Sequence, residues 1–221
     1  QPAEPWTGIR ECVEYGETAP QAPGQLAEGG WEGHRTEMGE DCLRLNVWTP
    51  ATGAGTRPVF VWLHGGGFEA GSGSSMLYDG TNLARRGDAV VVTINHRLGV
   101  FGHCHLEDIL GEEFVGSANA GYLDLVAALQ WVRTNIGEFG GDPANVTIAG
   151  QSGGGRKVSL LTASPLAEGL FQRGIVQSGS HLRLMPREKA NDLAERLFGA
   201  LGIGRGDARK LQELPDRKSV V

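Results

Sequence analysis

Asn145-Val146-Thr147-Ile148-Ala149-Gly150-Gln151-Ser152-Gly153-Gly154-Gly155 is the stretch on which the fold turns. Val146–Ala149 is an apolar run of strand length, and Gly150 to Gly154 spell G-x-S-x-G directly before a segment able to form a helix. A strand that turns at once into a helix forces the residue at the bend into strained backbone geometry. Small residues two before and two after it let neighbouring chains approach closely. The Ser152 hydroxyl is then held out above the sheet edge, at the positive end of a helix that favours a developing oxyanion. The pattern predicts a nucleophile, against the plainer reading of a glycine-rich turn. A phosphate-cradling loop also sits between strand and helix, but it needs Gly-Lys-Ser/Thr at its end. Here Gly155 is followed by Arg156, Lys157 and Val158, so the lysine is displaced and the magnesium-binding hydroxyl is missing.

Upstream lies Leu63-His64-Gly65-Gly66-Gly67-Phe68, immediately after the β-branched and aromatic run Val59–Leu63. Glycines after a buried strand leave backbone N–H groups unshielded by side chains. Two of these, with the N–H of Gly153, can point at one oxygen and form an oxyanion hole. Losing one such donor typically costs ~10²–10³ in rate, so the feature is energetically large. Two independent motifs in the right order point to esterase-type chemistry.

The remaining strand-length segments are Leu43–Trp48, which alternates, Ala89–Ile94, a continuous apolar run, and the short Gly174–Gln177. Continuous runs suit strands buried on both faces of a parallel sheet. Between them, Leu123–Ile136 places Leu125, Leu129, Val132 and Ile136 at helical spacing, with Asp124 and Arg133 off that stripe and Gly137 and Gly140 as stops. Arg187–Leu201 reads as a second helix with Leu193, Leu197 and Leu201 on one side. The first ~40 residues, rich in Pro, Gly and Glu, read as loop. Strands alternating with helices imply an α/β fold with a mostly parallel sheet and flanking helices, in a single domain over residues 1–221.

Composition narrows the functional classes. With 40% hydrophobic and 21% charged residues the chain suits a globular domain, and its 35 glycines cluster in turns, with no repeat. A net charge of −6, with Arg205, Arg209, Lys210, Arg217 and Lys218 interspersed among acids, excludes a nucleic-acid footprint. No apolar run approaches the ~20 residues of a membrane span. Gln1-Pro2-Ala3-Glu4-Pro5-Trp6 is not a signal peptide, which leaves the compartment open. Cys12, Cys42 and Cys104 have no metal-ligand spacing, and two readings stay open for them: one Cys12–Cys42 bridge, or three buried free thiols. No metal or cofactor is implied.

The chain resembles the type-B carboxylesterase family, of the α/β-hydrolase superfamily, which includes the cholinesterases and bacterial para-nitrobenzyl esterases. Matching segments are Glu40-Asp41-Cys42-Leu43 running to Pro50, the HGGGF of His64–Phe68, Asn95-His96-Arg97-Leu98-Gly99, Phe139-Gly140-Gly141-Asp142-Pro143 running to Ile148, the G-x-S-x-G bend (the family's nucleophile elbow), and Leu170 to Ser180. The resemblance implies Ser152 as nucleophile and Gly66, Gly67 and Gly153 as oxyanion-hole donors. It places Phe68, Gln151 and His181 along the pocket. It also implies an Arg97–Asp142 ion pair, and leaves the Asn145-Val146-Thr147 sequon unglycosylated because it opens a buried strand. Departures from the family pattern are Gln151 where Glu is usual, Gly153 where Ala is usual, and Arg156-Lys157 where small residues are usual. Trp31 falls near the cholinesterase choline-stacking tryptophan, in a slipped register.

The mechanism needs a histidine base and an orienting carboxylate, in the family order Ser, acid, His. Ser152, Glu168 and His181 satisfy that order, but the resemblance places the acid and histidine on loops beyond residue 221. The triad partners are therefore not found in this chain. The family's N-terminal strands and C-terminal half are expected to be absent, leaving a partial domain with sheet edges that invite self-association. The expected activity is hydrolysis of small, fairly apolar carboxylic esters through an acyl-enzyme. The alternatives are a non-catalytic cholinesterase-like adhesion module and an inactive portion of a true esterase.

Overall fold

The computed structural model of the chain describes residues 7–8, 11–22, 37–53, 55–180 and 183–214. Five strands, β1 (Leu45–Trp48), β2 (Arg57–Leu63), β3 (Val90–Ile94), β4 (Gly141–Gln151) and β5 (Arg173–Gln177), form one sheet in the order β1-β3-β2-β4-β5. Only β1 runs antiparallel to its neighbour; β2–β3, β2–β4 and β4–β5 are parallel, as the continuous apolar runs imply. The helices are α1 (Thr81–Gly87), α2 (Gly99–His103), α3 (Glu107–Leu110), α4 (Ala120–Asn135), α5 (Gly153–Thr162) and α6 (Arg187–Leu201).

Alternation along the central strands sorts the core. Val59, Val61 and Leu63 of β2, Val90, Val92 and Ile94 of β3, and Val146 and Ile148 of β4 share one buried cluster with Leu125, Leu129 and Val132 of α4, Ile136, and Val158 and Leu161 of α5. Each aliphatic side chain so buried contributes roughly 1.5–3 kcal/mol. On the opposite face of β2, Phe60 and Trp62 stack, and Trp62 meets Tyr78 with ring centroids 5.5 Å apart. The layered core thus fixes β2 and β4 side by side, with their carboxyl ends together.

Several expectations need correction. β4 is far longer than Val146–Ala149, because Gly141 continues the pairing to Arg57 across a register shift between Arg57 and Val59. β5 is exposed at every residue, since it pairs with β4 alone among the described residues. The expected Arg97–Asp142 pair does not form. Asp142 Oδ1 instead accepts the amide of Ala144 at 2.8 Å, an Asx turn around Pro143 that occupies the carboxylate locally. Arg97 pairs with Asp124, whose position beside the α4 stripe carries it into the protein at 9% exposure. The cysteines are all free, with Cys12 exposed, Cys42 buried and Cys104 half-buried, so neither the bridge nor three buried thiols is found. Among the described residues no helix is long and apolar enough to cross a membrane. Asn145 lies within β4 and accepts a hydrogen bond from Arg173 at 2.6 Å. Trp31 and His181 lie outside the described residues.

Candidate active site

Ser152 ends β4 and caps α5 with φ 55° and ψ −118°, a left-handed conformation that side-chain-bearing residues adopt at a cost of roughly 1–3 kcal/mol. The strain is held by the surrounding backbone. The Ser152 amide donates to the Gln177 carbonyl at 2.9 Å, and the Ser152 carbonyl accepts from the Arg156 amide at 3.0 Å. The residue is only half-buried, and among the described residues no hydrogen bond joins its side chain to a partner.

The glycines around the bend are required by close approach. A β-carbon on Gly154 would stand 2.0 Å from the Leu63 carbonyl oxygen, so β2 and the first turn of α5 could not meet. A β-carbon on Gly153 would stand 2.2 Å from the oxygen and 2.5 Å from the nitrogen of Gly67, itself at φ 67°. The glycine loop and the elbow are therefore in direct backbone contact. Glycine in place of the usual alanine at position 153 matches this approach: the Gly67 peptide occupies the space a methyl group would need.

The loop is itself tied down. The Gly66 carbonyl accepts the amides of Glu69 and Ala70 at 3.3 and 3.0 Å, and the Phe68 carbonyl accepts the Gly99 amide at 2.7 Å. Gln21 brackets Gly71, accepting its amide at 2.8 Å and donating to its carbonyl at 3.1 Å. Of the expected lining residues, Phe68 is half-buried, with the His103 ring edge-on to it at 5.2 Å, and Gln151 is half-buried beside Gly65.

Beneath the loop is a group of buried bases. His64 and His96 stack at 4.9 Å with 9° between their planes, and their Nδ1 atoms face the carbonyls of Gly65 at 2.8 Å and Arg97 at 2.9 Å. Those carbonyls can only accept, so Nδ1 carries the proton in both rings. Burial, reinforced by the Lys157 ammonium, pushes the His64 pKa down to about 3 and that of His96 well below its ordinary value. Neither ring is poised to act as a base at Ser152. Lys157 is 1% exposed, donates to the His64 carbonyl at 3.0 Å, and burial pushes its pKa down to about 7.

No histidine is hydrogen-bonded to Ser152 among the described residues. Glu168 is exposed at the far end of α5 from Ser152, and a helix of 10 residues spans about 15 Å. This separation removes Glu168 as the acid of a short triad.

A strained serine between strand and helix, facing a glycine loop across backbone contact, is matched by the profile of the carboxylesterase family over residues 1–219. The chain belongs to the carboxylesterase family. It is 44% identical over 211 residues to the para-nitrobenzyl esterase of Bacillus subtilis, covering 96% of this chain and 42% of that protein. It is 42% identical over 221 residues to a medium-chain fatty acyl-CoA hydrolase precursor of Anas platyrhynchos, covering 38% of it. The crystal structure of a Geobacillus stearothermophilus carboxylesterase superposes with a TM-score of 0.90 at 44% identity, over 99% of this chain and 44% of that one. The architecture is thus the α/β-hydrolase fold, and the chain spans about two-fifths of the length of the relatives it matches.

Two site-supporting residues escaped the sequence reading. Lys157 lies on the buried face of α5 with Gly153, Gly154, Val158 and Leu161, and that i, i+3, i+4 spacing was the available signal. Asp124 was legible only as an acid adjoining an apolar stripe.

Proposed function

We propose that this carboxylesterase-family chain carries the nucleophile and oxyanion hole of a serine carboxylic-ester hydrolase. Ser152 Oγ attacks the ester carbonyl carbon, and the carbonyl oxygen takes up the negative charge facing the amides of Gly66, Gly67 and Gly153. The alcohol leaves with a proton, and water then adds to the acyl-serine to release the acid. The histidine that moves these protons, and its carboxylate, belong in this reading, by the family order Ser, acid, His, to sequence beyond residue 221. The observation that supports the proposal is the Gly67–Gly153 backbone contact, which sets the glycine loop against the bend that carries Ser152. Substrates are small, fairly apolar esters, in keeping with relatives named para-nitrobenzyl esterase and phenmedipham hydrolase. An adhesion module would have no need of a strained serine opposite amide donors.

The test is a fluorophosphonate reporter followed by mass-spectrometric location of the adduct. Rapid modification confined to Ser152, abolished in Ser152→Ala, is the expected result. A folded protein that carries the downstream sequence and still stays unmodified refutes the assignment. Self-association through sheet edges is part of the same reading, carried by β5, where Ile175 and Val176 are 43% and 39% exposed. Light scattering that reports a monomer at every concentration would remove it.

A further inference from the structure

Lys157 has no role in the chemistry above, yet its position is unusual. It projects from the second turn of α5, the helix that begins at the nucleophile, into the space under the glycine loop. Its ammonium donates to the carbonyl of His64, the residue that opens the loop, and lies 5.6 Å from the ring centroid of Phe68, the residue that closes it. No carboxylate pairs with it among the described residues, so it stands there as an uncompensated buried cation. A buried charge without a partner is costly, and an apolar side chain in the same place would stabilise the fold.

We propose that Lys157 is a positioning residue for ester hydrolysis: it clamps both ends of the His64–Phe68 loop to the nucleophile helix and so holds the oxyanion-hole amides in register with Ser152. The inference rests on the Ser152 reading above. Both contacts weaken when the amine loses its proton. The ring attraction to Phe68 vanishes with the charge, and a neutral amine is a poorer donor to the His64 carbonyl. The titratable groups facing the amine are His64 from the end of β2, His96 from the end of β3 and His103 from α2. All three are held below the ordinary histidine range chiefly by burial, so none supplies a counter-charge or masks the lysine near neutral pH. With the Lys157 pKa pushed down to about 7, the clamp loosens over the pH range in which an esterase works.

The experiment compares wild type with Lys157→Met, which keeps the stem and removes the charge, using a fluorophosphonate reporter from pH 6 to 9. The variant is expected to melt at a higher temperature and yet to modify Ser152 about tenfold or more slowly at pH 6, since small misplacements of catalytic groups cost up to ~10²-fold. The wild-type rate is expected to fall above neutrality, and that descending limb is expected to vanish in the variant. A merely structural lysine would give the higher melting temperature with an unchanged rate at every pH, and that outcome overturns the inference alone. If the variant does not fold, the wild-type profile decides, because a rate that does not fall from pH 7 to 9 also overturns it. A wild-type protein that carries the downstream sequence and in which Ser152 is never modified removes the nucleophile assignment and this inference together.

Discussion

Arg97 and Asp124 meet at three points: the guanidinium Nε reaches Oδ2 at 2.8 Å, a terminal nitrogen reaches Oδ1 at 2.6 Å, and the Arg97 amide donates to Oδ2 at 3.0 Å. The Asp124 side chain is 6% exposed and that of Arg97 is 41% exposed, so the carboxylate is the desolvated partner. The pair joins α4 to the turn after β3. Two residues on from Arg97, Gly99 holds the Phe68 carbonyl at the end of the glycine loop. The helix that packs the core therefore also braces the glycine loop.

Asp124→Ala is expected to destabilise the protein by about 3 kcal/mol, because it leaves the Arg97 amide and guanidinium without their acceptor. Asp142→Ala, which removes only the local turn to Ala144, is expected to cost no more than about 1 kcal/mol. Urea unfolding of the two variants checks the ranking, and equal losses would contradict it.

Ser152→Gly is expected to raise stability by about 1–2 kcal/mol, since glycine adopts φ 55° without the strain that serine bears. The same variant is expected to lose all modification by fluorophosphonate. A lower melting temperature than wild type would show that the serine side chain makes stabilising contacts in the folded state.

Stability is expected to climb with pH from acid to about pH 9, above which the Cys42 and Cys104 thiols, pushed up to about 11 by burial, act in the opposite sense. His64 has its folded pKa lowered to about 3 from 6.5, so the unfolded chain binds the extra proton between those values and stability rises across that window. Lys157 shifts from 10.5 to about 7, so it acts in the same sense between pH 7 and 10.5. At about 1.4 kcal/mol per unit, the lysine alone accounts for something of order 5 kcal/mol. Lys157→Met should therefore be more stable than wild type by roughly that amount at pH 6, with the advantage shrinking towards pH 10. Chemical denaturation at the two pH values measures the difference, and a constant advantage would show that the lysine does not titrate as described.

Cys12 is expected to react with iodoacetamide in the native protein while Cys42 stays protected until unfolding. Burial, with a smaller contribution from Asp124, pushes the Cys42 thiol up to about 11. Reducing agent should leave the melting temperature unchanged, because no bridge joins the two. Peptide mapping of the alkylated protein distinguishes these outcomes.

The strand-to-helix bend at Ser152 and the glycine loop of the candidate site were legible along the chain. A nucleophile bend requires a serine between glycines after a strand, and an amide donor loop requires bare backbone after another, so local chemistry leaves a local mark. The same holds for α4, whose apolar spacing and glycine stops were readable, and for β3, whose five residues are all buried, whereas α6 was readable as a helix but turns Ala194 and Phe198 inward and leaves the expected Leu193 exposed. The partner of Arg97 was not readable, because Asp124 and Asp142 are both acids at plausible separations. Only the rotation of α4 against the sheet selects between them.

Sequence by itself determined the order of the five strands and of α4, α5 and α6 among them, the mostly parallel sheet, and the place of Ser152 at a strained turn, because these follow from periodicity and from which backbone angles a residue tolerates. Tertiary structure alone decided that the Gly67 peptide fills the space beside Gly153, that Lys157 turns inward beneath the glycine loop, and that the β5 edge stands open among the described residues. Those outcomes depend on distances between segments up to about ninety residues apart, fixed when the layers close on a shared core. A linear string of side-chain types does not encode such distances one residue at a time.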